Sequence, residues 1–214
     1  MIVEEIMKTK VAALYQHNTI SEAIQLMDQK KIRHIPIINE EQNVIGLITD
    51  RDIRDATPSI FYAEEHRDVL DKPLHTIMKT DVITGHPLDF VEEISAVFYD
   101  HHIGCLPIVS DNKLAGIITE TDLLRTLVEL TGAHQPGSLI TLKVRNITGV
   151  LADVTAIIKQ RRANIQSVLV YPDKKDDNYK NLVIRIQTMN PMNVIDNLEK
   201  AGHTVLWPNV PGIS

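Results

Sequence analysis

Residues 6–53 recur as residues 77–123, and this internal repeat constrains the fold more than any other feature of the chain. The offset is 71, dropping to 70 after a one-residue gap in a turn. IMKT at 6–9 returns as IMKT at 77–80, Val11 as Val82, Glu22 as Glu93 and Ile32 as Ile103. Pro36-Ile37 returns as Pro107-Ile108, and Gly46, Ile48, Thr49 and Asp52 return as Gly116, Ile118, Thr119 and Asp122.

Each copy has the same local reading. A short extended segment, Val11–Leu14 or Val82–Thr84, leads into a helix. In the first copy the helix places Ile20, Ala23, Ile24 and Met27 on one apolar face. In the second, Val91, Ile94, Val97 and Phe98 do the same, with Asp89 and Glu92 spaced as a capping box. Two apolar runs follow, HIPII then VIGLIT, and CLPIV then LAGIIT. The turns NEEQN and SDNK between them make each pair a hairpin. A last helix starts at Thr49 or Thr119. The unit is β-α-β-β-α, too small to stand alone, so two units stacked sheet to sheet are expected to bury a shared core.

The remainder is a different domain. LTGAHQPG at 130–137 is punctuated by Gly132, Pro136 and Gly137. SLITLKVRN then alternates as a half-buried strand, and Val150, Leu151, Val154, Ile157 and Ile158 follow at helical spacing. NIQSVLVYPD and YKNLVIRIQT read as strands, Pro191 opens a helix that Gly202 can end, and HTVLW closes the series. The order is β-α-β-β-α-β, the split βαβ of ferredoxin-like domains. The expected boundaries are 1–60 for the first repeat unit, 61–131 for connector and second unit, 132–137 for a linker, 138–208 for the last domain and 209–214 for a tail. The connector, 54–76, carries Pro58 and Pro73. The whole is α+β.

Bulk properties narrow the function. The net charge of −6, with no Lys/Arg-rich run, argues against nucleic acid as a partner. The single Cys105 cannot form an intramolecular disulfide and suits a reducing cytoplasm. MIVEEIMKTK lacks the apolar run of a signal peptide, and no window reaches the roughly 20 apolar residues of a membrane span. No GxSxG, HExxH, P-loop or GxGxxG pattern occurs, so no catalytic residue is assigned. His101 and His102 are helix neighbours that point apart, which makes them surface residues rather than metal ligands.

The repeat resembles a tandem pair of CBS domains, the Bateman module. Its h-x-h-P strand and G-h-h-[ST]-x-x-D motif stand here twice, as IRHIPII with GLITDRD and IGCLPIV with GIITETD. The last domain resembles an ACT domain, a small-molecule sensor whose first-loop signature is roughly D-x-P-G-V-L. Here that loop is NITGVLADV, which keeps Gly149 and puts Asn146 and Thr148 where the family has Asp and Pro. The ACT resemblance marks Asn146, Gly149, Val150 and Leu151 as ligand candidates and implies a homodimer. Tandem CBS followed by ACT, with PLDFVEEISAVFYDHHIGCLPIV, LTGAHQPGS, VLVYP, TMNP and the closing WP, is similar to the acetoin-utilisation family, which implies a role in acetoin or butanediol breakdown.

Thr-x-x-Asp has two compatible readings. Thr49 and Asp52 sit at N-cap and N3, where both satisfy free backbone N–H groups. The same helix N-terminus also attracts anions, and a carboxylate beside it can accept ribose hydroxyls. The CBS resemblance implies the second use: Thr49, Asp52, Thr119 and Asp122 toward ribose and phosphate, with adenine between strand segments that include Val11, Pro36, Val82 and Pro107. Arg33 and His34 match basic strand positions that contact phosphates in adenylate-sensing relatives, and Arg51 adds a third cation. The first-copy cleft is expected to take a phosphorylated adenosine ligand, and the second to be weaker, neutral-preferring or unused. AMP, ATP and S-adenosylmethionine stay open as the ligand. A structural adaptor that binds a partner enzyme and no ligand is the competing class.

Overall fold

The computed structural model describes residues 1–56 and 67–208, which leaves Pro58 and the tail 209–214 outside the described residues. Two compact units divide at Leu124/Arg125.

In the first unit, β1 (Leu14–Tyr15) is followed by α1 (Ile20–Lys30), β2 (His34–Ile38), β3 (Val44–Thr49), α2 (Asp50–Ala56) and the short α3 (Arg67–Leu70). The second copy gives α4 (Val91–His101), β4 (Cys105–Ser110), β5 (Lys113–Thr119) and α5 (Glu120–Thr131). β2 and β3 form an antiparallel hairpin to which β1 adds in parallel, and β4 pairs antiparallel with β5. The β4–β5 turn is tight because Asp111 and Asn112 both take left-handed conformations, which these side chains tolerate. The segment Val82–Thr84, expected to mirror β1, forms no strand; a single parallel bridge, Gly85 to Ile108, takes its place.

Cap chemistry separates the copies. Thr19 caps α1 in a full capping box: Thr19 N donates to Glu22 Oε2 at 2.7 Å and Glu22 N to Thr19 Oγ1 at 3.2 Å. The corresponding residue before α4 is Phe90, which makes no side-chain cap. Asp89, read from the sequence as the capping residue there, instead accepts from His86 N at 2.7 Å and closes the preceding turn. Ile24, placed on the apolar face of α1, stands at its margin, 38% exposed.

The expected shared core is replaced by two. Ile20, Ala23, Ile35, Ile37 and Ile48 form one, and Ile94, Phe98, Leu106, Ile108 and Ile118 the other. What joins the copies is an exchange of opening segments. Val3 is fully buried in the second copy's core, with Ile6 and Met7 beside it. Leu74, Ile77 and Met78 complete the first copy's core in the same way. The exchanged backbones add single antiparallel bridges, Lys8 to Ile117 and Lys79 to Leu47. This explains the repeated glycine. A Cβ on Gly46 would lie 2.7 Å from Met78 Sδ and 3.2 Å from the Lys79 carbonyl. On Gly116 it would lie 2.6 Å from Met7 Sδ and 3.1 Å from the Lys8 carbonyl. Only glycine lets the other copy's Met-Lys cross the strand this closely.

The second unit runs β6 (Ser138–Arg145), α6 (Val150–Gln160), β7 (Ile165–Pro172), β8 (Tyr179–Ile186), α7 (Met192–Lys200) and β9 (Thr204–Trp207). Its sheet has the order β7-β8-β6-β9 with every neighbouring pair antiparallel. Alternate residues Ile140, Leu142 and Val144 of β6, with Leu182, Ile184 and Ile186 of β8, meet Val154 and Ile158 of α6 and Leu198 of α7.

Candidate functional site

The first unit carries two clefts built as counterparts. The larger, about 640 Å³, takes Thr119, Glu120 and Thr121 from the second copy and Val11, Arg33 and His34 from the first. The smaller, about 280 Å³, takes Thr49, Asp50 and Arg51 from the first and His102, Gly104 and Cys105 from the second. Each cleft therefore joins one copy's helix N-terminus to the start of the other copy's first hairpin strand. Arg33, His34, Gly104 and Glu120 belong to both walls.

The sequence expectation grouped Arg33 and His34 with Thr49 and Arg51, and the smaller cleft does contain that group. The larger one assembles the same Arg33 and His34 with Thr119, so the size order runs opposite to the expected ranking of the two clefts. Val11 is on the larger wall, while Val82 is on neither. Pro36 and Pro107 pair with Leu47 and Ile117 inside their hairpins and reach neither wall.

Both Thr-x-x-Asp motifs form their caps. Thr49 N and Oγ1 donate to Asp52 Oδ2 at 2.8 and 2.6 Å, and Asp52 N returns a bond to Thr49 Oγ1 at 3.2 Å. Thr119 N donates to Asp122 Oδ2 at 3.0 Å and its hydroxyl at 2.5 Å. Neither aspartate is on a cleft wall. Both also pair with the exchanged segments: Lys8 Nζ lies 2.9 Å from Asp122 Oδ1, and Lys79 Nζ 3.3 Å from Asp52 Oδ1. Burial alone would raise the Asp122 pKa, but the bonds from Thr119 and Lys8 outweigh it and hold the carboxyl below its ordinary range.

His34 is the histidine the two clefts share. Burial, then the Arg33 charge, pulls its pKa below 6.5 and keeps the imidazole neutral, against the opposing pull of Asp50, Glu120 and Asp52. It has room because its neighbour is Gly104, whose added Cβ would lie 2.9 Å from His34 Nε2. Cys105, 2% exposed, is a buried thiol whose pKa desolvation pushes up to about 12, so it carries no thiolate chemistry.

Sequence reading missed Lys8, Lys79, Lys10, Lys30 and Glu120. The repeated IMKT was the available signal for the first two. Nothing local announced that each lysine serves the opposite copy. In the second unit, Asn146, Gly149 and Leu151 are exposed at the start of α6, whereas the Val150 side chain is turned into the core at 6% exposure.

A tandem repeat of helix, hairpin and helix, with two clefts built between its copies, defines the class of protein, a paired-repeat module. The family model of the CBS domain matches residues 3–59 and 74–129, and the chain belongs to the CBS domain family. The CBS domain-containing protein YhcV of Bacillus subtilis is 37% identical over 122 residues, 56% of this chain and 81% of that protein. A homoserine O-acetyltransferase of Methanococcus vannielii is 33% identical over 127 residues, 59% of this chain, and the chain spans only 25% of its length. Among solved structures, a Vibrio cholerae protein ascribed to acetoin utilization (AcuB) is similar at a TM-score of 0.54 and 31% identity, covering 64% of this chain and 98% of that one. The CBS domain pair of protein MJ0100, in complex with 5′-methylthioadenosine and S-adenosyl-L-methionine, is similar at 0.52 and 26% identity, covering 63% and 98%. Among the described residues no helix is long and apolar enough to cross a membrane.

Proposed function

We propose that the chain is a regulatory, non-catalytic cytoplasmic protein that senses an adenosine-containing ligand in the clefts of its CBS pair. The observation that carries the reading is the larger cleft. The positive end of the α5 helix dipole lies at Thr119–Thr121 on one wall, Arg33 stands opposite, and Val11, Ala12, Ile32 and Ile117 supply the apolar wall a purine needs. The adenosine ligands of the MJ0100 pair support the same class. Candidate contacts are Thr119, Arg33, His34 and Val11 in the larger cleft and Thr49 and Arg51 in the smaller, with Asp122 and Asp52 holding the two threonines and helix starts in place. The ligand would act by favouring one arrangement of the two copies, which requires different affinity for the two arrangements.

The second unit is read as a ferredoxin-like ACT domain, on its element order and its β7-β8-β6-β9 sheet. Edge strand β7 exposes Leu169, Val170 and Tyr171 in succession, which fits a homodimer through this edge. The likeness to the Vibrio cholerae protein supports a role in acetoin catabolism. The rival reading is a ligand-independent adaptor for a partner enzyme. It draws on one observation: both aspartates are already engaged inside the protein.

The test is thermal unfolding of the nucleotide-free protein against AMP, ATP and S-adenosylmethionine. A ligand at 100 times its Kd stabilises by about 2.7 kcal/mol. A shift abolished in Thr119→Ala and Asp122→Asn supports the sensor. No shift with any ligand overturns it in favour of the adaptor.

A further inference from the structure

The two clefts are counterparts in backbone and unequal in charge. At matched positions the larger wall carries Lys10, Lys30, Lys31 and Arg33, where the second copy has Asp81, His101, His102 and Gly104. With Lys8, the larger cleft gathers five fixed cations against one acid, Glu120. The smaller has three, Arg33, Arg51 and Lys79, against Asp50 and Glu120. Two of the five are partly spoken for, since Lys8 pairs with Asp122 and Lys31 with Asp28 at 2.7 Å. Among the described residues Lys10, Lys30 and Arg33 make no ion pair within the protein.

Three uncommitted cations around one cleft repel one another, and that repulsion is relieved by an anion able to reach all of them. A single phosphate at the start of α5 is served by the positive end of the helix dipole and Arg33 alone. Lys10 and Lys30 add binding energy only if the negative charge extends along the wall. The volumes agree: 640 Å³ lies within the usual range of small-molecule sites and 280 Å³ just under it.

We infer that the larger cleft is a polyphosphate site, selecting a ligand with a chain of two or more phosphates over AMP, 5′-methylthioadenosine and the cationic S-adenosylmethionine. This rests on the adenosine reading only for the group at the other end of the chain. Lys10 and Lys30 are the specificity-determining residues, and the second copy of the repeat supplies their natural replacements, Asp81 and His101.

The test is calorimetric titration of the full chain, without divalent metal, with adenosine, AMP, ATP and inorganic tripolyphosphate. The proteins compared are wild type, Lys10→Asp and Lys30→His, both exposed substitutions whose folding is checked by circular dichroism. ATP is expected to bind at least about tenfold more tightly than AMP, equivalent to about 1.4 kcal/mol. Lys10→Asp is expected to erase most of that ratio, Lys30→His part of it, and added salt to shrink it. Equal affinity for AMP and ATP, or an ATP preference that survives Lys10→Asp, overturns the inference while leaving the adenosine reading intact. Tripolyphosphate binding as tightly as ATP, with no response to adenosine or AMP, supports the polyphosphate site and removes the adenosine reading. Silence from all four ligands overturns both.

Discussion

Lys8 Nζ sits 2.9 Å from Asp122 Oδ1, so a lysine in the chain's opening segment neutralises a carboxylate 114 residues later, in the other copy of the repeat. Lys79 and Asp52 repeat the contact in the opposite sense at 3.3 Å. The two pairs tie the copies together beside the helix starts that face the clefts.

The pairs are unequal in burial, and their deletion is expected to show it. Asp122 is 4% exposed and Asp52 12%. Lys8→Ala removes the ammonium group beside a buried carboxylate, at a cost of about 1–2 kcal/mol, between the values for exposed and buried pairs. Lys79→Ala is expected to cost less. Urea unfolding measures both; equal costs would mean that burial of the aspartate does not set the value.

Gly46→Ala and Gly116→Ala drive a methyl into Met78 and Met7, at 2.7 and 2.6 Å from sulfur. Each is expected to cost about 1–3 kcal/mol as overpacking. Because the sulfur belongs to the opposite copy, Met7→Ala is expected to recover part of the loss in Gly116→Ala and none in Gly46→Ala. A double-mutant cycle on unfolding free energies reads this directly.

Phe90 stands 54% exposed at the N-cap of α4, where the first copy has Thr19. Glu93 already occupies the position that Glu22 holds in the first copy. Phe90→Thr is therefore expected to build the missing capping box and stabilise by about 0.5–1 kcal/mol, while Thr19→Ala costs about 1 kcal/mol. Thermal unfolding midpoints moving in opposite directions would bear this out.

Stability is expected to fall with pH in two stages. The folded chain holds the His34 proton less readily than the unfolded chain, so below the ordinary value of 6.5 the unfolded state takes it up first and gains. Asp122 is likewise depressed relative to 3.8; its contribution is present above that value and drains away as pH drops through the folded pKa. His34→Gln should flatten the upper stage and leave the lower one. Urea titrations across the pH range check the split, and an unchanged upper stage would exclude His34 as its source.

The elements, their order and most of their core faces were legible in the sequence, because each depends on neighbours a few residues apart. The period of Ile20, Ala23 and Met27, the hairpin turns and the Thr49–Asp52 cap are local chemistry, and repetition made each visible twice. The sequence also carried the glycines and the IMKT tetrapeptides, but as two unconnected regularities. Only the tertiary structure joined them: Met7 and Met78 cross the glycine strands of the opposite copy, and Lys8 and Lys79 reach the opposite aspartates. The same packing set Arg33 and His34 against Thr119 as well as Thr49, gave His34 its space over Gly104 and divided the cations between two clefts of unlike size. Such contacts link residues a whole repeat apart, and only packing between the copies decides which of two identical motifs each one meets.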